Sequence, residues 1–294
     1  MPLQTANTPS GFPRLNTTMN EHATYASSRN AGPVQTAPVE SQILGIPAVS
    51  ARRELYYRAH YFVNAYPRLY MPLVRYRHRF LVDRVVDRDT DLVIEAFGRS
   101  GTTFANVAFL SVQGRRVRTV HHTHAAAQVL TAVKMKVPAL VIVRNPEACA
   151  LSHMVRHQIS ARPALVAWLR FHERLLACEN SIVFCSFDEL TRNFTPVIQR
   201  LNQRFGTHFD VWQHTRENEA EIFEQIQTRN RGRFREDAVL ERTRAFALPT
   251  AEREALKNQL RVQLDAPSLI ALRQRAQALY KHFEAYVSGC RTLT

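Results

Sequence analysis

Apolar residues follow two alternating patterns along the chain from Asp91 onward. Four short apolar runs are typical of buried strands, namely Leu92–Phe97, Arg118–His122, Ala139–Arg144 and Ser181–Cys185. Between them apolar residues recur at helical spacing, in Thr103–Leu110, Ala125–Lys134, Pro146–His157 and Pro163–Cys178. Strands that alternate with helices predict an α/β fold, in which a parallel sheet is flanked by helices on both faces. Ligands of such sheets bind beyond the carboxyl ends of the strands, so the loops there are the first candidates for a site.

The chain before this pattern has a different character. Residues 1–50 are rich in Ser, Thr, Asn, Ala and Pro and lack a charged segment followed by an apolar one, so they predict a disordered leader without a secretory signal. Residues 51–90 combine Arg and Tyr at roughly helical spacing, with breaks expected near Pro67 and Pro72. We expect one or two amphipathic helices there. They either pack on the main domain or present a basic, aromatic surface to a membrane or a polyanion.

Residues 91–290 are predicted to form the main α/β domain. After Phe194 the pattern is helical, with an Arg-rich interruption at Thr228–Arg235. No apolar run reaches the roughly 18 residues of a membrane-spanning helix. The four cysteines show no zinc spacing and are interpreted as free thiols in a reducing compartment. We therefore expect a cytoplasmic protein.

The charge balance of the chain favours anionic partners. Its 294 residues contain 39 Lys and Arg against 25 Asp and Glu, a formal net charge of +14, and only 4 of the 39 are Lys. Nucleic acid, an anionic membrane face and ligands that carry phosphate or sulfate all fit such a surplus. The planar guanidinium of Arg suits oxyanions, but charge alone does not choose among these partners.

The loop after the first predicted strand has the composition of a phosphate-binding loop. It reads FGRSGTTF, from Phe97 to Phe104, and opens a helix. Small residues allow backbone N–H groups to point into one concavity, and the helix N-terminus adds free amides and partial positive charge. A Walker A loop requires Lys where this chain has Thr102, which argues against a magnesium-dependent NTPase. The alternative is a plain strand–turn–helix connection.

A second motif follows the third predicted strand. The segment reads VRNPEACALS, in which Arg144 ends the strand, Pro146 suits the first position of a helix, and Ser152 lies eight residues after Arg144. That spacing is about two helical turns. An Arg and a Ser at one end of a pocket bind a phosphate well.

Together the two motifs resemble those of PAPS-dependent sulfotransferases, enzymes with a P-loop-like three-layer α/β fold and a helical C-terminal part. FGRSGTTF resembles the family's loop for the 5′-phosphosulfate, with Arg99 where Lys is usual and Phe104 where Trp is usual. VRNPEACALS resembles the family's 3′-phosphate site, with Arg144 and Ser152 in the roles of its Arg and Ser. The resemblance covers Asp91–Gly206 well.

The resemblance implies a set of donor-binding residues, which are Arg99, Ser100, Gly101, Thr102, Thr103, Phe104, Arg144, Ser152, Phe187, Arg231 and Gly232. Phe187 lies in SFDEL, which is similar to the family segment whose aromatic residue packs near the adenine. Arg231 and Gly232 correspond to a basic stretch that folds over the 3′-phosphate. The implied donor is 3′-phosphoadenylyl sulfate, and no metal is expected.

A histidine cluster at the end of the second predicted strand supplies candidates for a general base. The segment reads His121-His122-Thr123-His124, and histidine suits this role because its pKa lies near neutrality. The family often has a Thr-His pair at this position, which implies that His124 is the base. His122 and an unplaced Asp or Glu stay as alternatives, and so does a zinc site.

The combined prediction is a soluble sulfotransferase with His124 and Arg99 as its catalytic residues. Its acceptor would be a hydroxyl or amine of a carbohydrate or small molecule. Two other functions stay open: a nucleotide kinase or NTPase, and a non-catalytic protein that binds a polyanion or membrane through residues 51–90. The sequence leaves the oligomeric state open.

Overall fold

The computed structural model describes residues 49–77, 84–231 and 251–289, all within one compact unit, Leu44–Thr294. The strands are β1 (Leu92–Ala96), β2 (Thr119–His121), β3 (Ala139–Val143) and β4 (Val183–Ser186). The helices before β4 are α1 (Ala51–Val63), α2 (Pro67–Arg77), α3 (Thr102–Ser111), α4 (Ala126–Met135), α5 (Pro146–His157) and α6 (Ala161–Glu173). Those after it are α7 (Phe187–Arg192), α8 (Thr195–Phe205), α9 (Arg216–Arg231), α10 (Ala251–Leu264) and α11 (Ile270–Val287).

The four strands form one parallel sheet in the order β2-β1-β3-β4. In register, Ile94 of β1 lies opposite His121 of β2 on one side and Leu140 of β3 on the other. The carboxyl ends of all four strands therefore meet at one edge of the sheet. This confirms the prediction of a parallel α/β sheet flanked by helices.

Side chains of β1 alternate between two hydrophobic cores, one on each face of the sheet. Leu92 and Ile94 pack with helices α3, α8 and α9, whereas Val93 and Phe97 pack with helices that include α4, α5 and α6. Glu95 lies on the second side and is fully buried. The chain thus has three layers, as a P-loop-like architecture requires.

The predicted element bounds need three corrections. The predicted helix Pro163–Cys178 is α6 followed by a 3₁₀ turn over Leu176–Ser181, with a non-helical φ of −130° at Cys178. This turn sends the chain back toward β4. The interruption expected at Thr228–Arg235 does not begin at Thr228, because α9 continues to Arg231, consistent with the good helix propensity of Arg.

The break expected at Pro72 is also wrong, since Pro72 lies inside α2. Proline costs a backbone hydrogen bond there. The neighbouring side chains of Met71 and Val74 are buried in the core, which holds the helix together on both sides of the proline. The break expected near Pro67 is confirmed, since α2 begins at that residue.

Helices α1 and α2 each have one buried and one exposed face. Tyr57 and Tyr61 of α1 and Tyr70 of α2 belong to the main core, so these helices do pack on the α/β layers. Among the described residues, no helix combines the length and the apolar character needed to traverse a bilayer. The division into parts at residues 50 and 90 stays a prediction.

Candidate functional site

The loop between β1 and α3 depends on two glycines. Gly101 has a positive φ of 85°, and a Cβ there would lie 2.8 Å from the Leu190 side chain. A Cβ at Gly98 would lie 2.7 Å from Nε2 of His153. Arg99 between them also has a positive φ, of 70°. This backbone turns sharply enough to open α3 at Thr102 with its first amides at the end of the sheet.

The second motif begins where β3 ends. Asn145 caps α5, because its side-chain oxygen accepts hydrogen bonds from the backbone N–H groups of Glu147 and Ala148. Arg144 is thereby directed over the sheet edge, where its Nη1 donates to the carbonyl oxygen of Arg99 at 2.7 Å. The two predicted phosphate motifs, 45 residues apart in the chain, are in direct contact.

Ser152 of α5 lies at the centre of this contact. Its Oγ accepts a hydrogen bond from Nε of Arg99 at 3.3 Å and another from Nη2 of Arg253 at 2.7 Å. Arg253 belongs to α10 and is only 2% exposed. Sequence reasoning missed this residue because no motif surrounds it.

The arginines at this point form a concentrated positive region. Burial lowers the pKa of the Arg99 guanidinium well below its usual range, and the charges of Arg253, Arg156 and Arg144 lower it further. Burial likewise lowers the pKa of Arg253 to about 10. A pKa lowered by neighbouring cations means that bringing these charges together costs free energy in the free protein. A bound anion relieves that cost.

These groups line one cavity of about 1450 Å³. Nine of the predicted donor-binding residues border it, namely Arg99, Ser100, Gly101, Thr102, Thr103, Phe104, Arg144, Ser152 and Phe187. Arg156, Arg253 and Lys257 add further positive charge to its wall. The cavity therefore joins a loop rich in amides with several cations, which suits a ligand with more than one anionic group.

The hydroxyl groups of the loop differ in accessibility. Ser100 and Thr102 are almost fully buried, and Oγ of Ser100 lies 3.4 Å from Sγ of Cys149. Thr103 is half-buried, and its Oγ1 lies 2.7 Å from Nε2 of His122. That hydrogen bond links the loop to the end of β2.

The two aromatic residues among the predicted donor-binding residues, Phe104 and Phe187, lie in different surroundings. The ring of Phe187 stacks on the Arg144 guanidinium, whose Cζ lies 4.0 Å from the ring centre. Phe104 is 8% exposed and packs edge-to-face on Trp212, with ring centres 5.7 Å apart. Phe187 therefore orients Arg144, whereas Phe104 is mostly a core residue with one edge at the cavity.

His124 has the geometry of a neutral base. Its Nδ1 lies 3.0 Å from the carbonyl oxygen of Ala96. A carbonyl only accepts, so Nδ1 carries the proton and Nε2 keeps its lone pair. Burial lowers the pKa of His124 to about 4, and nearby Arg99 lowers it too. The side chain lines the cavity.

Glu95 holds the turn that carries His124. Its carboxylate accepts hydrogen bonds from the backbone N–H and hydroxyl of Thr123, at 2.9 and 2.5 Å, and from the backbone N–H of His124 at 2.9 Å. Burial raises the pKa of Glu95 to about 7. The sequence contains a signal for this residue. A Glu inside the apolar run LVIEAF is expected to be buried, and a buried carboxylate rarely lacks partners.

Helix α1 supports the loop from the other side. The Nε2 of His153 lies 3.0 Å from the carbonyl oxygen of Gly98, so Nε2 donates and Nδ1 accepts the hydrogen bond from the Tyr57 hydroxyl at 2.8 Å. Burial lowers the pKa of His153, which keeps the ring neutral. His153 and Tyr57 are therefore packing residues that fix the position of Gly98.

Some predicted residues lie at or beyond the limits of the described chain. Arg231 is the last residue of α9, and Gly232 lies outside the described residues. Their contact with a 3′-phosphate stays a prediction.

Of the four cysteines, Cys149, Cys178 and Cys185 are free thiols, whereas Cys290 lies outside the described residues. Within the described residues, no group of three or more His, Cys, Asp or Glu side chains has a metal-binding arrangement.

Comparison with known proteins finds similar chains among solved structures. No family model matches this sequence, and no curated protein matches it. Among solved structures, a similar one is the crystal structure of mouse sulfotransferase SULT7A1 complexed with PAP, at 13% identity and a TM-score of 0.36. The match covers 67% of this chain and 92% of the mouse chain. A similarity this distant carries no functional argument, so the function has to be inferred from the geometry of the site.

Proposed function

We propose that this chain is a sulfotransferase, which transfers a sulfuryl group from 3′-phosphoadenylyl sulfate to a hydroxyl or amine of a carbohydrate or small molecule. The observation that carries the proposal is the contact between the two motifs: Arg144 donates to the carbonyl of Arg99, and Ser152 accepts from Arg99. Two sets of cationic and hydrogen-bonding groups, each at the end of one of two neighbouring strands, thus face one cavity. A nucleotide with phosphates on both its 3′ and 5′ positions needs such a pair.

The loop at 98–103 is proposed to bind the 5′-phosphosulfate. Amides at the start of α3 and the Arg99 guanidinium supply positive charge, and the half-buried Thr103 supplies a hydroxyl. Negative charge grows on the bridging oxygen as the bond to sulfur breaks. Fixed donors at that point stabilise the transition state more than the ground state.

Arg144 and Ser152 are proposed to bind the 3′-phosphate. Arg253 joins them in this proposal, because its guanidinium already bonds Ser152 Oγ and lines the same cavity. Phe187 holds the Arg144 guanidinium in place by stacking on it, and its edge together with Phe104 borders the space proposed for the adenine. Arg231 and Gly232 are kept as further 3′-phosphate contacts.

His124 is proposed as the base of the transfer step. The acceptor oxygen or nitrogen forms a bond to sulfur while the bond between sulfur and the 5′-phosphate oxygen breaks. The acceptor proton passes to Nε2 of His124, and the products are the sulfated acceptor and 3′,5′-ADP. His122 is the less suitable base, because its Nε2 is engaged with the Thr103 hydroxyl. Glu95 acts through His124 as a positioning residue.

The cavity has room for an acceptor beside the donor. Its volume of about 1450 Å³ exceeds the roughly 300–1,000 Å³ usual for a site that holds one small ligand. The part formed by α1 and α2 is lined by aromatic and basic residues that include Tyr56, His60, Tyr70 and Arg77. We assign this part to the acceptor. The proposal routes no step through a metal, and it places the reaction in the cytoplasm.

The experiment that tests this function is transfer of sulfur-35 from labelled donor to a panel of carbohydrate, phenol and amine acceptors. The proposal expects label on at least one acceptor with wild type and about a hundredfold less with Arg99→Ala. Arg116→Ala is the matched control, because Arg116 is exposed and precedes β2 at the opposite end of the sheet. Magnesium-dependent transfer of phosphate from a nucleoside triphosphate, with no transfer of label, would support the kinase alternative instead.

A further inference from the structure

The exposed side of α1 and α2 has an unusual concentration of large apolar side chains. Of eleven such exposed side chains among the described residues, six lie on these two helices: Leu55, Tyr56, Phe62, Leu69, Leu73 and Tyr76. Leu55 is 69% exposed and Tyr76 is 74% exposed. Scattered apolar residues on a surface need no explanation, but a concentration within two short helices does.

On each helix these side chains form a stripe away from the buried face. On α1, Leu55 and Phe62 are seven residues apart and share a face roughly opposite the buried Tyr57 and Tyr61. On α2, Leu69, Leu73 and Tyr76 recur at positions i, i+4 and i+7, and the centre of this set lies more than a third of a turn from the centre of the buried set, which is Tyr70, Met71 and Val74. Each helix thus has two apolar surfaces, one that packs in the core and one that is exposed to solvent.

The same two helices are strongly basic. Over residues 51–77 there are six Arg and one carboxylate, Glu54, and all six arginines are exposed: Arg52, Arg53, Arg58, Arg68, Arg75 and Arg77. Glu54 forms an exposed ion pair with Arg58. Helices that combine exposed aromatic and aliphatic side chains with arginines are typical of proteins that lie in the headgroup region of an anionic membrane.

We infer that the exposed face of α1 and α2 docks on a lipid bilayer that carries anionic headgroups. The arginines supply the charge complementarity, and the apolar stripes supply the area that enters the acyl boundary. A soluble polyanion would use the arginines and leave the stripes unexplained. A second copy of this chain would bring the same basic helices together and would be repelled. The inference stands without any assumption about the reaction.

This docking would bring the mouth of the cavity to the lipid. The exposed side chains of Tyr56 and Leu73, together with Arg77, belong to the cavity lining. A molecule embedded in the bilayer could therefore reach the cavity from the membrane side.

The test is flotation of the full chain with vesicles of phosphatidylcholine, with and without phosphatidylglycerol. We expect binding only when phosphatidylglycerol is present, and weaker binding as salt is raised. The double variant Arg52→Gln with Arg75→Gln should weaken binding by about 30-fold, because each basic residue near such a surface contributes about 1 kcal/mol of binding free energy. The control is Arg88→Gln with Arg116→Gln, two exposed arginines that precede β1 and β2, and it should bind like wild type.

A second variant separates a bilayer from other occupants. Leu55→Ser with Leu69→Ser removes apolar area without changing charge, and it should also weaken vesicle binding at least several-fold while the thermal midpoint stays close to that of wild type. Vesicle binding that survives this variant would overturn the inference in favour of a simple polyanion surface. A dimer in solution that this variant dissociates would overturn it in favour of self-association, and failure of the wild-type chain to bind either vesicle would overturn it outright.

Discussion

The guanidinium of Arg144 donates a 2.7 Å hydrogen bond to the carbonyl oxygen of Arg99. Because Arg144 directly follows β3 and Arg99 follows β1, this bond ties together the loops at the carboxyl ends of two neighbouring parallel strands. It uses one of five N–H donors of the guanidinium, so further donors are available for a ligand. The stacking of Phe187 on the same group fixes its plane.

Replacement of Arg144 should therefore weaken binding of the donor more than it slows the chemical step. Hydrogen bonds to charged groups contribute about 1.5–3 kcal/mol, so Arg144→Ala should raise the KM for 3′-phosphoadenylyl sulfate by roughly 10- to 100-fold. Arg144→Lys keeps the charge but loses the planar guanidinium and its stacking on Phe187. Its KM should therefore lie between the KM of wild type and that of Arg144→Ala. Steady-state kinetics at saturating acceptor gives both values. A KM unchanged in both variants would contradict the assignment.

Replacement of Arg99 should have the opposite signature. Loss of a preorganised donor at a developing oxyanion costs about 3 kcal/mol, roughly a hundredfold in turnover. Burial, and after it the charges of neighbouring arginines, lowers the pKa of Arg99, so its charged form is held in place at a cost in free energy. The thermal midpoint of the unliganded Arg99→Ala variant should therefore not fall. A large fall in that midpoint with intact turnover would show that Arg99 is structural.

The sequence was sufficient to predict the sheet and the juxtaposition of the two motifs. The strands are short apolar runs, and the parallel order makes the loops after β1 and β3 neighbours, so FGRSGTTF and VRNPEACALS had to meet. Arg253 was out of reach, because it bonds Ser152 from 101 residues away and no local pattern marks it. Only the packing of α10 on α5 brings the two residues together.

Arg253 and Ser152 should act as a coupled pair. Arg253→Gln removes a buried charge and the 2.7 Å bond to Ser152, and Ser152→Ala removes the shared acceptor. Residues that share a hydrogen bond show coupling energies of about 0.5–3 kcal/mol. A double-mutant cycle on the dissociation constant of 3′,5′-ADP measures this coupling. Strictly additive losses would show that Arg253 does not act through Ser152.

His124 and Glu95 should be distinguishable by the pH dependence of turnover. His124→Asn removes the base and should lower turnover by roughly 10²- to 10⁴-fold at every pH. Glu95, with a pKa raised by burial to about 7, accepts its three hydrogen bonds best when ionised. Turnover of wild type should therefore fall as the pH drops through about 7.

Glu95→Gln should abolish that decline while lowering the maximal rate, because an amide cannot accept all three bonds. Protonation of His124 itself begins only near pH 4, because burial lowers its pKa to about 4. A decline near pH 7 that persists in Glu95→Gln would assign the titration to another group.

His172 should make the fold sensitive to acid. The residue is fully buried, its Nδ1 lies 2.8 Å from the carbonyl oxygen of Trp168, and burial lowers its pKa to about 3. Unfolded histidine binds a proton below about pH 6.5, so acidification through this range favours the unfolded chain. The free energy of unfolding should fall by about 2 kcal/mol between about pH 8 and pH 5 from this residue alone.

His172→Phe should remove that part of the pH dependence, because Phe has no proton to gain and fits among Trp168, Phe171 and Phe283. Urea unfolding at several pH values measures it. The control His208→Phe changes an exposed histidine and should keep the wild-type slope. Equal slopes for wild type and His172→Phe would contradict the assignment.

The contacts of the buried groups around the loop could not be predicted from local sequence patterns. The LVIEAF run contains a carboxylate that calls for partners, but its partners, Thr123 and His124, become evident only when β2 lies beside β1. The bond between Tyr57 and His153 joins residues 96 positions apart. Local patterns thus predict which loops are candidates for binding anions, whereas the residues that hold those loops in place are set by packing.

The central claim is that two anion-binding groups in one cavity hold a single nucleotide by its two ends. Calorimetric titration of wild type and Arg144→Ala with 3′,5′-ADP and with 5′-ADP tests it most directly. The account predicts that wild type binds 3′,5′-ADP at least about tenfold more tightly than 5′-ADP, and that Arg144→Ala loses this preference. Equal affinities in wild type, or a preference that survives in Arg144→Ala, would contradict it.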